Sequence, residues 1–339
     1  MVFEQKIGDK AFSVGGVHVK WPCVLAPLSG VTDVAFRRIA MRFGAGLVVS
    51  EMVASDEFVG GSEEARLRAE GEGIHPHVIQ LAGCAPDWMA EAARLAEASG
   101  AQIIDINMGC PAKRVTGGDA GSALMRDLDH AARLIAATVN AVSIPVTVKM
   151  RLGWDERSLS APDLARRAEA LGVQAVTVHG RTRQQFYKGS ADWTAIAGVA
   201  DAVAIPVIAN GDISSVRDAR RCLRASQASA VMVGRAAMGR PWVIGQIAAA
   251  LAGEPIVEPT AEQKTGAAVE HYEELLSLYG RTVGVRRARK HLAAYAETAR
   301  SVGCGLNASD RLRLVTADDP ASVRGLLMRM YNEPLRDAA

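Results

Sequence analysis

Cysteine is sparse in this chain of 339 residues: there are five, at positions 23, 84, 110, 222 and 304. Their number is odd, and no two have the spacing of a zinc knuckle or a Cys-x-x-Cys redox pair. This argues against a disulfide scaffold and leaves a reducing, cytoplasmic compartment as the expectation. Long apolar runs are also missing. No stretch of about 20 uninterrupted apolar residues occurs, so the sequence offers no membrane span. The opening Met-Val-Phe-Glu-Gln-Lys has no apolar core of the signal-peptide kind. Charge of one sign is not in excess: 39 Lys and Arg against 37 Asp and Glu leave +2. The total therefore says nothing about a nucleic-acid partner, and the distribution has to decide. No local group of His, Asp and Glu has metal-ligand spacing, so no metal is expected. No Gly-x-Gly-x-x-Gly follows the first apolar run, which removes the usual mark of a doubly wound dinucleotide fold.

What is present is enough apolar material for a large core, 49% hydrophobic against 22% charged. Eight short runs recur, each bounded by turn residues: Val24–Ala26, Leu47–Val49, Val78–Leu81, Ile103–Ile106, Val146–Val148, Ala175–Val178, Val207–Ala209 and Val231–Val233. They are rich in β-branched residues, as parallel strands buried on both faces should be. Apolar residues at three- and four-residue spacing between them predict helices over Asp87–Ser99, Leu128–Val142, Asp163–Leu171 and Ser214–Arg224. Pro86 and Pro162 fit first-turn positions, and Gly100 and Gly172 fit helix stops. Eight strands alternating with helices predict a closed (β/α)8 TIM barrel. The rhythm stops near Gly253. Glu254-Pro255 and Glu258-Pro259 read as a linker, and helices are expected over about 262–279, 285–301 and 321–331. The expected organisation is a catalytic barrel over 1–253 and a C-terminal helical domain over 254–339.

In such a barrel, function collects where strands end at their C-terminal face. The strand ends here carry Pro27-Leu28-Ser29-Gly30, Gln80, Asn107-Met108-Gly109-Cys110-Pro111, Lys149 with Arg151, His179-Gly180-Arg181, Asn210-Gly211-Asp212 and Gly234-Arg235. Amide, thiol, lysine and imidazole thus converge on one rim, which reads as a site rather than as ordinary loops. Gly211 and Gly234, with Arg235, suit a phosphate monoester after the last two strands; two plain turns are the competing reading. Lys149 closes an apolar strand. It either stabilises negative charge on a flavin-like ring or snorkels to solvent. Gln80 is either a hydrogen-bond partner for a pyrimidine-like edge or a turn-capping amide. Cys110 is either a small buried hydrophobe or a general acid, since a thiol is mostly protonated at neutral pH. His179 can be an acid, a phosphate ligand or a satisfied core imidazole.

Taken together and in order, several of these runs resemble one family. Ala26-Pro27-Leu28-Ser29-Gly30-Val31-Thr32-Asp33, Asp105-Ile106-Asn107-Met108-Gly109-Cys110-Pro111, Val148-Lys149-Met150-Arg151, Val178-His179-Gly180-Arg181-Thr182 and Asn210-Gly211-Asp212 are similar to the tRNA-dihydrouridine synthases. The similarity is greatest to the bacterial B-type branch, also described as nitrogen-regulation-like proteins, over about residues 15–300. The resemblance implies FMN as cofactor, NADPH as reductant and tRNA as partner. It implies that Pro27, Leu28, Ser29, Gln80, Lys149, His179, Asn210, Gly211, Asp212, Gly234 and Arg235 hold FMN. Cys110 would be the proton donor, and Asn107, Arg151 and Arg181 would lie on the substrate side. Two positions depart from the family pattern. Leu28-Ser29 stands where Met-Ala is usual, and Ala294 stands where a tryptophan usually precedes the tyrosine.

Between Arg281 and Arg313 there are eight Arg or Lys and two acids, Glu297 and Asp310. With the resemblance, this clustering points to Arg286, Arg287 and Lys290 as RNA contacts. Two other readings share parts of the pattern. One is a small-molecule FMN oxidoreductase of the dihydroorotate or dihydropyrimidine dehydrogenase type, for which a basic tail has no use. The other is a binding module that has lost catalysis, which intact Cys110, Lys149 and His179 argue against.

Overall fold

Side-chain alternation with a period of two decides what fills the centre of this protein. The computed structural model describes residues 11–335. Residues 1–10, where the sequence was read as lacking a leader, and residues 336–339 lie outside the described residues, as do the outer limits of the two expected domains. A two-stranded antiparallel hairpin comes first, β1 (Phe12–Val14) and β2 (Val17–Val19). Eight parallel strands follow: β3 (Cys23–Leu25), β4 (Leu47–Ala54), β5 (Val78–Ala82), β6 (Ile103–Met108), β7 (Val146–Arg151), β8 (Ala175–His179), β9 (Val207–Asn210) and β10 (Ala230–Val233). They close on themselves when β10 pairs with β3, Val231 opposite Cys23. All eight coincide with the runs singled out in the sequence, the first ending one residue early at Leu25.

Inside the barrel, Val24, Val78, Ile103, Ala175, Ile208 and Ala230 pack with Phe12 and Val19 of the hairpin, which plugs the end where the strands begin. Two or four residues further along the same strand faces, the side chains turn polar: Gln80, Asp105, Asn107, Thr147, Lys149, Thr177, His179 and Asn210. The register sets them side by side, Gln80 opposite Asp105, Asn107 opposite Lys149, Lys149 opposite Thr177 and His179 opposite Asn210. The outward residues of the same strands, such as Leu25, Ile79, Ile104 and Val176, are covered by the surrounding helices. One alternation thus makes an apolar floor, a polar mouth and an apolar outer wall.

The predicted helices form over Pro86–Ala98, Leu128–Val139, Ala161–Ala170 and Val216–Ser226. Beyond the barrel, the helix Val243–Ala252 stops at Gly253, which takes φ +78°. The long helix Ala261–Ser301 starts with a capping box between Thr260 and Gln263. The expected break between its halves is real but short: Gly280 alone leaves helical geometry, at φ 70° and ψ 164°. The helix Ala308–Thr316 was not foreseen. It is a single short segment whose one clear signal is its cap, where Asn307 accepts from Asp310 N at 2.9 Å. The last helix is Pro320–Met330.

The tail has its own apolar cluster, built on Tyr272, Leu275, Leu292, Tyr295, Leu314 and Leu327. Trp242, from the barrel side of the expected 253/254 boundary, packs into it. Half-buried Ala294 lies where the long helix meets Gly239; a Cβ there would come within 2.3 Å of the Ala294 carbonyl. The tail is also tied to the barrel through the helix Val34–Arg42: Arg42 makes a forked ion pair with Glu270 at 2.7 and 2.9 Å, and Arg38 pairs with Glu274 at 3.0 Å. No described helix is long and apolar enough to cross a membrane.

Candidate active site at the barrel mouth

The mouth is organised around a chain of buried amides. Asn107, at the end of β6, donates through Nδ2 to Gln80 Oε1 at 2.8 Å. Gln80 donates through Nε2 to Asp105 Oδ2 at 2.6 Å, and Asp105 Oδ1 accepts from the Thr147 hydroxyl at 2.6 Å. Burial raises the Asp105 carboxyl above its ordinary range, against the pull of the Thr147 and Gln80 hydrogen bonds. Asn107 Oδ1 accepts from the amides of Gly109 at 3.2 Å and Cys110 at 2.9 Å. The Cys110 carbonyl is held in turn by Ser122, through its amide at 3.1 Å and its hydroxyl at 2.9 Å. The partly exposed Cys110 is therefore fixed on both sides of its own backbone.

Beside this amide chain, on the neighbouring strands, stand Lys149 and His179. Lys149 donates to Asn210 Oδ1 at 3.3 Å and has no carboxylate within ion-pair distance among the described residues. Burial lowers its ammonium to about 8, Asp105 partly opposing the shift. Asn210 is oriented from behind by the Met232 carbonyl at 2.8 Å. Burial, reinforced by Lys149, Arg151, Arg181 and Arg235, pushes His179 well below the ordinary imidazole range, so it is neutral at neutral pH.

Three of the charged groups are already committed. Arg151, 2% exposed, gives Nε to the Gly109 carbonyl at 2.8 Å and Nη1 to the carbonyls of Thr182 and Phe186, each at 2.9 Å. It joins the turn before Cys110 to the loop after β8. Arg181 forks onto Asp212 at 3.0 and 2.6 Å and also binds the carbonyls of Lys188 and Gly189. Asp212 accepts further from Ala191 N at 2.8 Å and from Arg235 at 3.3 Å. Burial alone would raise the Asp212 carboxyl, but the Arg181 fork and these partners hold it below its usual range. The Gly211 backbone, at φ +122°, leaves no room for a side chain: a Cβ would sit 2.7 Å from the Ala191 Cβ. Gly234 differs, since a Cβ there would meet nothing nearer than 3.7 Å.

At the first strand end, Pro27 and Leu28 are half-buried and Ser29 is exposed. The Leu28 amide donates to the Thr32 hydroxyl at 2.9 Å. The Gly30 amide donates to Glu51, a carboxylate 1% exposed and raised by burial, whose other oxygen has no partner among the described residues. The tail reaches the same loop. The Lys290 ammonium lies 2.5 Å from where a Gly30 Cβ would stand, Arg287 pairs with Glu64 at 2.8 Å across the seam, and Arg286 is exposed with no carboxylate within 4 Å among the described residues.

Sequence reading named most of this constellation but missed four parts. Glu51 and Asp105 are carboxylates inside otherwise apolar strand runs, a signal that was there to be read. Phe186 and Tyr187, 42% and 47% exposed, stand at the rim in edge contact, and the Tyr187 ring lies 5.6 Å from the Arg151 guanidinium and 5.3 Å from that of Arg235. Nothing local marks them out. The structure also assembles Asp33, His271 and His291, whose ligand atoms all lie within 4.8 Å of one another. These come from distant positions, so local spacing could not show them. Asp33 caps the helix Val34–Arg42 through Phe36 N and faces His271 Nε2 at 3.4 Å, and His271 meets the Tyr295 hydroxyl at 3.3 Å.

Known proteins are similar to this chain along most of its length. The family model described as dihydrouridine synthase (Dus) matches residues 24–314. A probable tRNA-dihydrouridine synthase of Rhizobium leguminosarum bv. phaseoli is 55% identical over 304 residues, 90% of this chain and 93% of that protein. One of Rhodobacter capsulatus is 52% identical over 331 residues, 96% of this chain and 99% of that protein. The tRNA-dihydrouridine synthase B of Xanthomonas axonopodis pv. citri is 48% identical over 286 residues, 84% of this chain and 86% of that protein. Among solved structures, histamine dehydrogenase from Rhizobium sp. 4-9 superposes with TM-score 0.56 at 14% identity, over 80% of this chain and 51% of that one, a likeness of fold alone. With the family model spanning the barrel and most of the tail, and relatives this similar over nearly the whole length, the chain belongs to the dihydrouridine synthase family.

Proposed function

We propose that this protein reduces the C5–C6 double bond of uridine in tRNA, with FMN as cofactor, NADPH as reductant and Cys110 as proton donor, in the cytoplasm. One juxtaposition carries the reading: a thiol pinned by Asn107 follows the strand beside Lys149, a desolvated ammonium with no ion pair among the described residues, in a chain whose relatives bear the name tRNA-dihydrouridine synthase.

The residues present fit a flavin nucleotide. Lys149 has lost water and has one hydrogen bond, so an electron-rich ring beside it would supply the missing negative partner. The open turn at Gly234, flanked by Arg235, admits a phosphate, and Gly211 and Asn210 shape the adjoining wall. Asp212 serves there by aiming Arg235, since its carboxylate is already shared between two arginines. Pro27, Leu28 and Ser29 would meet the ring through backbone. Gln80 retains amide capacity for a pyrimidine-like edge, and neutral His179 can hydrogen-bond without adding charge.

A bound, reduced FMN would supply the hydride for C6 of the uracil ring. Cys110 Sγ would give its proton to C5, and the thiolate would recover a proton from solvent. Asn107 and Arg151 hold the turn that presents the thiol, one through amides and the other through the Gly109 carbonyl. Arg181 acts through Asp212 and the 188–189 backbone rather than on substrate. The uridine must leave its stack to reach the mouth, as bases do for enzymes that act on them. Incubation of the FMN-loaded protein with NADPH and unmodified tRNA, followed by mapping of dihydrouridine, tests the reading. Product at defined positions supports it. NADPH consumption without dihydrouridine favours the small-molecule flavin oxidoreductase.

A further inference from the structure

Two arginines of the barrel rim differ from most of the basic residues in the tail. Five of the eight tail cations are already in ion pairs: Arg281 with Asp319, Arg287 with Glu64, Arg289 with Asp318, Arg311 with Glu297 and Arg313 with Asp310. On the rim, Arg126 and Arg183 have no carboxylate within 4 Å and no side-chain hydrogen bond among the described residues. Both guanidinium groups lie against one indole, Arg126 4.8 Å and Arg183 4.7 Å from the centre of the Trp154 ring. The Arg183 Nε is buried without a partner. Two cations are thus held against a ring, with their in-plane N–H donors unspent among the described residues.

We propose that Arg126, Arg183 and Trp154 form a phosphate-contact surface for the RNA strand that carries the reacting uridine. This inference rests on the tRNA reading above and extends the RNA contact from the tail to the barrel rim. A guanidinium fork matches the oxygens of a phosphate diester, and stacking on an aromatic ring fixes its direction before the ligand arrives. The surface is coupled to the chemistry by backbone. The turn Gly121–Arg126 that carries Arg126 is tied to the Cys110 carbonyl through Ser122. Ser160 donates to the Met125 carbonyl at 3.0 Å, joining that turn to the loop of Trp154. Arg183 N and Gln184 N donate to the carbonyls of Gly153 and Trp154, each at 2.9 Å, which joins the third loop. The acids of this region are turned elsewhere: Asp155 caps its own loop at Arg157 N, and neither Asp155 nor Glu156 pairs with the two arginines. The platform adjoins the turn that carries Cys110, and a backbone of repeated phosphates suits two forks better than one small anion does.

The test uses the full-length FMN-loaded protein with Arg126→Glu, Arg183→Glu and the milder Arg126→Gln, at several salt concentrations. Unmodified tRNA is the ligand, and the Michaelis constant for NADPH is measured alongside. The double charge reversal should weaken tRNA binding at least tenfold near physiological salt and reduce the slope of log affinity against log salt by about 2. Arg126→Gln, at an exposed position, should reduce the slope by about 1 while leaving flavin content and NADPH oxidation unchanged. Unchanged tRNA affinity and slope in the double charge reversal and in Arg126→Gln would overturn the proposal. A raised Michaelis constant for NADPH with an unchanged tRNA slope would also overturn it, assigning the surface to the dinucleotide instead. Failure of the unaltered protein to bind tRNA at all would overturn the functional reading and this surface with it.

Discussion

Asn107 and Cys110 form one unit, in which the Asn107 side-chain oxygen accepts the Cys110 amide at 2.9 Å while its nitrogen donates to Gln80 at 2.8 Å. The thiol's position is thereby linked to the wall proposed to hold the flavin edge. Replacing Asn107 with alanine frees the turn. The expected result is an approximately 100-fold lower rate of uridine reduction, the scale of a displacement of about 1 Å. Flavin content should be retained. Single-turnover kinetics with preloaded protein measure this directly.

Lys149 predicts a pH dependence of cofactor binding. Its ammonium is lowered to about 8, so the charged form is lost as the pH rises through that value. FMN affinity of the apoprotein should therefore be level from pH 6 to 7 and weaken above about 8. Lys149→Met should bind FMN more weakly throughout and lack the alkaline limb. Fluorescence titration of FMN across this range checks both points.

The Arg181–Asp212 fork predicts a stability effect. Arg181 is 2% exposed, so Asp212→Asn leaves a buried cation without its anion. The expected loss is about 2–3 kcal/mol, at the low end for a buried pair because Asp212 is partly open to solvent. The carboxyl sits below its ordinary range, so its contribution is present at neutral pH and is lost only as the pH falls through the lowered value. Calorimetry should show the gap between wild type and variant closing in acid and not near pH 6.

In the tail, reversal of charge at Arg286 and Lys290 should lower the salt slope of tRNA binding by about 2 with little change in melting temperature, since neither is ion-paired. Arg287→Glu should behave differently. It breaks the Glu64 contact across the seam, so loosening of the tail against the barrel accompanies any loss of RNA affinity.

The barrel was legible because its strands are buried on both faces, which writes them as β-branched runs such as Ile103–Ile106 and Val146–Val148. The convergence of strand ends was legible for the same reason: parallel strands all present their last residues to one face. What escaped were relations that no local spacing encodes. The sequence put Arg151 and Arg181 on the substrate side of the mouth, but nothing in it shows that their guanidinium groups also bind the Gly109, Thr182 and Phe186 carbonyls and Asp212. The excess of tail cations looked like a free basic surface until Asp318, Asp319 and Glu64 were seen opposite three of them. Glu51 could have been found, as a carboxylate in the middle of an apolar strand needs a partner, which proves to be the Gly30 amide.

The most direct test of the central claim compares the unaltered protein with Cys110→Ala, each loaded with FMN, supplied with NADPH and unmodified tRNA, and scored for dihydrouridine at each position of the RNA. Dihydrouridine is expected at defined positions with the unaltered protein. With Cys110→Ala a loss of about 100-fold or more is expected, while flavin binding and NADPH oxidation persist. Equal product from both proteins would contradict the role of Cys110, and no product from either would contradict the assignment to tRNA.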